Sequence, residues 1–229
     1  MIVEPPVLKV RRQFPRPDTK AIEPLRDTST CFIVDCMDGR GAMDYRIRPI
    51  DEKCCHFVGV AITCHTGPSD NLAIKGAIEF SQPGDIIIAA ADAFVGTATA
   101  GDLMVGVMRN RRIGALVTDG LVRDVDDIRP IGVPVFCRGV SPNSGVSNGP
   151  GTVGLPITIG GVTVEAGDVV VGDINGVVVI PQLRLNQVGQ RLAEVRASEA
   201  EFDRRVRDGL DHVEAVQELI DADRVQFLD

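Results

Sequence analysis

The chain has 229 residues, 44% of them hydrophobic and 24% charged, which is an ordinary globular composition. This length allows one substantial core or two small ones, and we expect one main domain with a tail. A formal net charge of −8 disfavours binding along a nucleic-acid backbone, because that binding depends on lysine and arginine releasing counterions. No segment approaches the roughly 18 uninterrupted apolar residues of a membrane span, and the N-terminus lacks a signal-peptide core. We therefore expect a cytoplasmic protein with no nucleic-acid or membrane partner.

The first half of the chain predicts strands that alternate with helices. Residues 1–27, rich in proline and charge, predict an irregular arm with one short helix. Beyond them, β-branched runs predict four strands, and apolar residues at helical spacing predict two helices, each opened by an aspartate expected as the N-cap. The strands are HFVGVAIT, DIIIAA, IGALVT and VPVFCRG, and the helices are DNLAIKGAIEF and DLMVGVMRNRR. This alternation is typical of parallel βαβ units.

The second half has a different pattern. A loop rich in glycine, serine, proline and asparagine follows Gly139 and leads to ITIGGVTVEAGDVVVGDINGVVVI. This stretch predicts short antiparallel strands with Gly-Gly, Ala-Gly and Asn-Gly turns, forming a small β-sandwich or barrel layer. From Leu183 to about Leu219, amphipathic spacing predicts one or two helices that pack on the core or on a neighbouring subunit. We divide the chain into segments 1–27, 28–182 and 183–229.

The six cysteines, without a secretory signal, predict reduced thiols. Several of them, together with two histidines, come closest to a zinc pattern in the segment CCHFVGVAITCH, which holds Cys54, Cys55, His56, Cys64 and His65. Because the middle of this segment predicts a strand, side-chain alternation sends neighbouring ligand candidates to opposite faces. Buried thiols are therefore favoured over a metal cluster.

A candidate anion site follows the strand DIIIAA. Gly101 and Asp102 precede a predicted helix, so the N–H groups of Leu103 and Met104 and the positive end of the helix dipole lie at the carboxyl edge of the sheet. A carboxylate or a phosphate suits such a position. Local sequence alone favours a plainer interpretation, in which Asp102 only caps the helix.

The stretch DGLVRDVDD places further charges at the same edge. Arg123 and Asp124 follow the strand IGALVT through the turn at Asp119 and Gly120, so they converge with Asp102 if the two strands are neighbours. An arginine can hold a planar anion by its fork while a carboxylate binds a hard cation such as Mg²⁺. The alternative is a salt bridge within the loop, which the sequence alone favours.

These residues carry a resemblance to a known family. The pattern is D-x20-R-D-x2-D. It begins at Asp102, continues with Arg123 and Asp124 after a gap of 20 residues, and ends at Asp127. The pattern resembles the signature of the class II pyruvate aldolases that cleave 4-hydroxy-4-methyl-2-oxoglutarate and 4-carboxy-4-hydroxy-2-oxoadipate. The segments VDCMDGRGAMDYRIRPI, QPGDIIIAAAD and VTDGLVRDVDDI resemble the family in the same order, and the likeness covers roughly residues 28 to 210.

The larger family also includes the regulator of ribonuclease E activity. The regulators carry glycine at the position of Asp102 and serine at that of Asp127, so the resemblance favours an enzyme over a non-catalytic, protein-binding regulator. It implies a three-layer α/β/β swivelling-type fold, with 28–182 as the catalytic domain. It also implies assembly as homotrimers or homohexamers with sites between subunits.

The resemblance further implies an activity, namely metal-dependent retro-aldol cleavage of a 4-hydroxy-2-oxo di- or tricarboxylic acid to pyruvate and a second oxo acid. Oxaloacetate decarboxylation would be a side reaction, and the setting would be aromatic compound catabolism. Asp124 would hold Mg²⁺ or Mn²⁺, while Arg123 and the N–H groups of Leu103 and Met104, next to Gly101, would bind the pyruvyl end of the 2-oxo acid.

The resemblance also gives roles to four acids. Asp102 would act as a base through a water molecule. Asp127 would orient Arg123 or a water near the metal, or would only begin a helix. Glu201, or otherwise Glu199, would reach the site of an adjacent subunit, although a solvated helix face is the ordinary interpretation of both.

Rival classes of enzyme lack their motifs. There is neither a G-x-G-x-x-G after a first strand nor a G-x-x-x-x-G-K-[ST] phosphate loop, which disfavours nucleotide or S-adenosylmethionine chemistry. Covalent aldolase chemistry needs a buried lysine, and Lys75 lies on a predicted amphipathic helix.

Overall fold

The computed structural model describes residues 6–228, so residues 1–5 of the predicted arm and residue 229 of the predicted helical segment lie outside it. Within that range the strands are β1 (Leu8–Val10), β2 (Arg48–Pro49), β3 (Phe57–His65), β4 (Ile86–Ala90), β5 (Ala98–Ala100), β6 (Ala115–Thr118), β7 (Leu121–Val122), β8 (Val135–Cys137), β9 (Gly139–Val140), β10 (Gly151–Val153), β11 (Ile157–Ile159), β12 (Val162–Val164), β13 (Val169–Asp173) and β14 (Gly176–Ile180). The helices are α1 (Thr19–Ile22), α2 (Thr30–Cys36), α3 (Leu72–Phe80), α4 (Asp102–Asn110), α5 (Val125–Ile128), α6 (Leu185–Arg207) and α7 (Glu214–Asp221).

The four predicted strands form the parallel centre of the main sheet. β3 pairs with β4, β4 with β6 and β6 with β8, all in parallel, and α3 and α4 are the two predicted helices. The N-cap residues are Asn71 and Gly101, not the expected aspartates Asp70 and Asp102. Asp70 still accepts the N–H of Leu72 at 2.8 Å, and Asp102 is the first helical residue of α4, where its charge suits the helix dipole.

Alternate residues of β4 enter two different cores. Ile87 and Ala89 pack with α3 and α4 on one face of the sheet, whereas Ile86 and Ile88 pack with β11 and β12 on the other. A strand sends successive side chains to opposite faces, so a strand buried on both faces needs a layer on each. Helices, central sheet and β-hairpins therefore form three layers, and the predicted α/β/β fold class is confirmed.

The antiparallel half is divided between two sheets. β11 and β12 form a separate two-stranded sheet across Gly160 and Gly161, and β13 pairs with β14. β13 also pairs antiparallel with the first half of β3, and β10 pairs with the end of β3. The prediction of one separate sandwich or barrel layer was therefore only partly right, since the length of β3 leaves an edge on which both β10 and β13 pair.

The N-terminal arm contains the predicted short helix, α1, but it also contains a strand, β1, that was not predicted. β1 pairs in parallel with β10, in a register that sets Lys9 opposite Thr152. Arg16 donates two hydrogen bonds to the buried carboxylate of Asp85, at 2.7 and 2.8 Å. Composition could not show this, because the partners of the arm lie far away in the sequence.

The chain divides into two compact units, the first ending at Leu192 and the second beginning at Ala193. Leu185, Val188 and Leu192 are the buried residues of α6. The second unit consists of helical segments with largely exposed side chains. Across the described residues there is no helix with the length and apolar character needed to cross a membrane.

Cys31, Cys54, Cys55, Cys64 and Cys137 are free thiols, as predicted. Cys64 lies in the core on the helical side of the sheet, and Cys55 lies in the core on the other side. Burial raises the pKa of Cys64 and raises that of Cys137 to about 11. Within residues 6–228, no three His, Cys, Asp or Glu side chains come together as a metal cage.

Candidate active site

A small second sheet places the predicted site residues. β7 pairs in parallel with β5 on one side and with β9 on the other. Arg123 directly follows β7, and its backbone N–H donates to the carbonyl of Ala100, the last residue of β5, at 3.0 Å. Gly101 and Asp102 follow β5. The expected convergence therefore occurs, but on a three-stranded sheet whose strands the sequence did not predict.

The guanidinium of Arg123 is held by two neighbours. Its Nε lies 3.0 Å from Oδ2 of Asp124, and its Nη1 donates to Oγ of Ser144. Both side chains of the ion pair are more than a third exposed, so the pair adds little to stability. The ion pair and the hydrogen bond to Ser144 together orient the planar guanidinium.

The backbone of Asp124 is in an uncommon conformation. Its φ of 58° and ψ of 41° are left-handed, which costs a non-glycine residue about 1–3 kcal/mol, although aspartate tolerates it better than most. Such strain clusters at functional sites. Here it sets Asp124 as the N-cap of α5, with its carboxylate directed toward Arg123.

Gly101 fits closely against this ion pair. A Cβ built on Gly101 would lie 2.7 Å from Oδ2 of Asp124 and 3.2 Å from Nε of Arg123. The first N–H bonded within α4 is that of Val105, which donates to the carbonyl of Gly101 at 3.1 Å. The N–H groups of Leu103 and Met104 precede it and have no partner inside the helix. Glycine thus lets the open end of a helix approach a fixed arginine.

A cavity of about 460 Å³ opens beside these groups. Asp102, Leu103, Met104 and Arg123 all line it. Asp124 is not a lining residue, but its carboxylate lies against two that are, Gly101 and Arg123. The remaining walls come from α3, from α4 and from the loop that precedes β10, and include Asn71, Lys75, Ile78, Glu79, Val107, Ser144 and Gly145.

The sequence did not single out Ser144 or Asn71 as site residues. The loop around Ser144 is held against the segment before α3 by backbone hydrogen bonds, from Val146 to Ser69 at 2.8 Å and from Asn71 to Val146 at 2.9 Å. The bonded residues lie 75 or more positions apart in the chain, so no local pattern could have linked them. For Lys75, the sequence raised only the question of covalent catalysis.

The other aspartates of DGLVRDVDD lie in different surroundings. Asp119 is buried and accepts the N–H groups of Ala91 and Ala93 at 2.6 and 2.9 Å, and burial raises the pKa of its carboxyl. Asp126 is exposed and pairs with Arg129 at 3.2 Å. Asp127 is exposed in the first turn of α5 and does not line the cavity, so its role toward Arg123 stays a prediction.

Glu199 and Glu201 belong to the second unit. Both are exposed. Oε1 of Glu201 lies 2.7 Å from Nη2 of Arg204, and this hydrogen bond lowers the pKa of the Glu201 carboxyl. Whether either acid reaches a neighbouring subunit stays a prediction.

The donor set of the site fits a hard cation. Mg²⁺ keeps several waters and is usually held by one or two carboxylates. Asp124 offers one partly exposed carboxylate. Asp102 follows Gly101, on which a built Cβ would lie 2.7 Å from that carboxylate. A site of this kind needs no cage of three protein ligands.

Comparison with known proteins identifies the family. The sequence model described as Aldolase/RraA matches residues 30–179, and the chain belongs to this RraA-like family, which confirms the resemblance. The chain is 32% identical over 197 residues to the "Putative 4-hydroxy-4-methyl-2-oxoglutarate aldolase" of Halalkalibacterium halodurans, covering 86% of this chain and 93% of that protein.

Two solved structures share the fold. One is Streptomyces coelicolor RraAS2, described as an unusual member of the RNase ES inhibitor RraA protein family, with a TM-score of 0.73, 26% identity, and coverage of 83% of this chain and 99% of that one. The other is an uncharacterized Pseudomonas syringae protein with a TM-score of 0.75, 23% identity, and coverage of 86% and 96%. The family thus contains proteins named for aldol cleavage and proteins named for inhibition of a ribonuclease.

Proposed function

We propose that the protein is a divalent-metal-dependent lyase that cleaves a 4-hydroxy-2-oxo di- or tricarboxylic acid, such as 4-hydroxy-4-methyl-2-oxoglutarate, to pyruvate and a second oxo acid. The observation that carries this proposal is that Asp102 and Arg123 line one cavity beside the open N-terminus of α4. The name of the Halalkalibacterium relative supports the same activity.

The pyruvyl end of the substrate is bound by groups from residues that line the cavity. Arg123 and the N–H groups of Leu103 and Met104 donate hydrogen bonds to the carboxylate and the ketone oxygen. Asp124 would hold Mg²⁺ or Mn²⁺, and the cation would supply positive charge that stabilises an enolate. As the C3–C4 bond breaks, its electron pair moves toward the ketone oxygen, and Arg123 binds the developing negative charge more strongly than the neutral ketone.

Asp102 is the proton acceptor of the proposed reaction. It takes the proton of the 4-hydroxyl through a water molecule, so that C4 becomes the carbonyl of the second oxo acid. Protonation of the enolate at C3 then gives pyruvate. Oxaloacetate gives the same enolate by losing CO₂ and has no 4-hydroxyl proton to remove, so we expect its decarboxylation as a side activity.

The proposal extends to assembly. A homotrimer or homohexamer would bring Glu201, or otherwise Glu199, to the site of an adjacent subunit, where Asp127 would help to orient Arg123. The exposed position of all three acids is compatible with contacts made only in the assembly.

The test is a coupled assay of pyruvate release from 4-hydroxy-4-methyl-2-oxoglutarate and from oxaloacetate, with Mg²⁺ or with EDTA. We expect EDTA and Asp124→Asn each to lower cleavage by about 100-fold, because both remove the charge at the ketone oxygen. Asp126→Asn, in the same short helix, is the matched control and should keep wild-type activity. Pyruvate release that persists unchanged in EDTA would reject the metal-dependent proposal.

The likeness to RraAS2 supports one alternative, a non-catalytic regulator that binds another protein. This alternative predicts no metal-dependent turnover of either substrate. An inactive wild-type protein that captures a ribonuclease would favour it.

A further inference from the structure

The cavity contains a second cationic group besides Arg123. Lys75 lies on α3, one turn after Asn71, and both residues line the cavity. Nζ of Lys75 donates to Oγ of Ser147 at 2.6 Å, and the same hydroxyl donates to Oδ1 of Asn71 at 2.5 Å. The ammonium is therefore positioned by a neutral hydroxyl rather than by a carboxylate.

Lys75 also lacks the carboxylate partner that its position in the helix offers. Residues four apart on a helix are neighbours, so Glu79 is the expected partner. Instead, Oε2 of Glu79 lies 3.5 Å from Nη1 of Arg111, and within residues 6–228 Lys75 forms no ion pair. An ammonium has three donors, and the contact with Ser147 uses one of them.

We propose that Lys75, positioned by Ser147 and accompanied by the amide of Asn71, binds the substrate carboxylate that is remote from the 2-oxo group. This inference rests on the proposed function, because Arg123 and the N-terminus of α4 are taken to hold the 2-oxo acid end. Two cations on different walls then hold the two ends of a dianion. The apolar side chains of Ile78 and Val107, which also line the cavity, contact the carbon chain between them.

The consequence is a preference among substrates. A 4-hydroxy-2-oxo acid with a second carboxylate forms an ion pair with the ammonium of Lys75. An analogue with a methyl group in place of that carboxylate leaves the ammonium without an anion. The ammonium of Lys75 binds a carboxylate that takes no part in bond cleavage. Loss of Lys75 therefore lowers the affinity for the diacid and leaves the rate of the chemical step nearly unchanged.

The binding test uses two ligands that cannot be cleaved, 2-oxoglutarate and 2-oxopentanoate, which have the same chain length and differ in the terminal carboxylate. Calorimetric titration in Mg²⁺ measures both on wild type, Lys75→Met and Lys20→Met. We expect Lys75→Met to raise the Kd of 2-oxoglutarate by about 10- to 100-fold and to leave that of 2-oxopentanoate unchanged. Lys20 is an exposed lysine of α1, and its substitution should change neither.

The matching kinetic test compares 4-hydroxy-4-methyl-2-oxoglutarate with 4-hydroxy-2-oxopentanoate. Lys75→Met should raise KM for the diacid alone, with kcat nearly constant. Equal effects on the diacid and the monoacid, or an unchanged Kd for 2-oxoglutarate, would overturn the role of Lys75. If the wild type binds 2-oxoglutarate through Lys75 but cleaves neither hydroxy acid, the proposed reaction fails while the carboxylate site stands.

Discussion

Substituting Gly101 with alanine tests whether the close fit between α4 and the Arg123–Asp124 pair matters for activity. The new Cβ would lie 2.7 Å from Oδ2 of Asp124. An ordinary contact needs about 3.4 Å, so the carboxylate or the helix end must move by about 0.7 Å. Displacements of about 1 Å at a reacting site can cost 10²-fold, so we expect kcat/KM for the aldol substrate to fall by about 10- to 100-fold.

The same substitution should have little effect on folding. Gly101 has φ −141° and ψ −176°, an extended conformation that alanine adopts without strain. Exchanging glycine for alanine at an N-cap costs about 0.5–1 kcal/mol. Urea unfolding should therefore show a modest shift alongside the large kinetic loss.

Gly106→Ala is the matched control, since it lies in the same helix and its Cβ would meet no atom within 4 Å. It should raise the free energy of unfolding by up to about 1 kcal/mol through helix propensity and leave kcat/KM unchanged. Wild-type kcat/KM in Gly101→Ala would refute the argument that this close approach orients the catalytic groups.

Two further predictions concern stability. Arg16→Ala removes two hydrogen bonds from the buried carboxylate of Asp85 and should lower the free energy of unfolding by about 1–3 kcal/mol. Arg26→Ala, the control, breaks only an exposed ion pair. Equal urea midpoints for the two variants would contradict this prediction. Thr30→Val removes a 2.8 Å hydrogen bond to Asp173 and should cost about 1–2 kcal/mol at neutral pH. Burial opposes ionisation of Asp173, but hydrogen bonds led by those from Thr30 outweigh it and hold the pKa of that carboxyl below its usual value. The stabilisation from ionised Asp173 is complete above the unfolded pKa of about 3.9 and is lost as pH falls through the lower folded pKa. The loss of stability caused by Thr30→Val should therefore become smaller in acid. A loss that grows between about pH 5 and pH 3 would contradict this pH dependence.

The sequence by itself determined the parallel core and the pairing of the site residues. Side-chain periodicity depends on neighbouring residues, so β3, β4, β6 and β8 could be predicted from local pattern. The prediction for Asp102 and Arg123 needed one further rule, that residues following adjacent parallel strands share an edge. The predicted neighbours, β4 and β6, do pair in parallel, but the site residues directly follow β5 and β7, a second parallel pair that was not predicted.

Only the tertiary structure decided which distant segments complete the sheet and the cavity. β1 joins β10, β13 joins β3, and the walls that carry Lys75 and Ser144 come from segments far apart in the chain. Local pattern specifies which face of a strand or helix is buried, but it does not specify the partner. The choice of partner depends on the free energy of packing summed over the whole fold, and the candidate carboxylate site at Lys75 is one result of that choice.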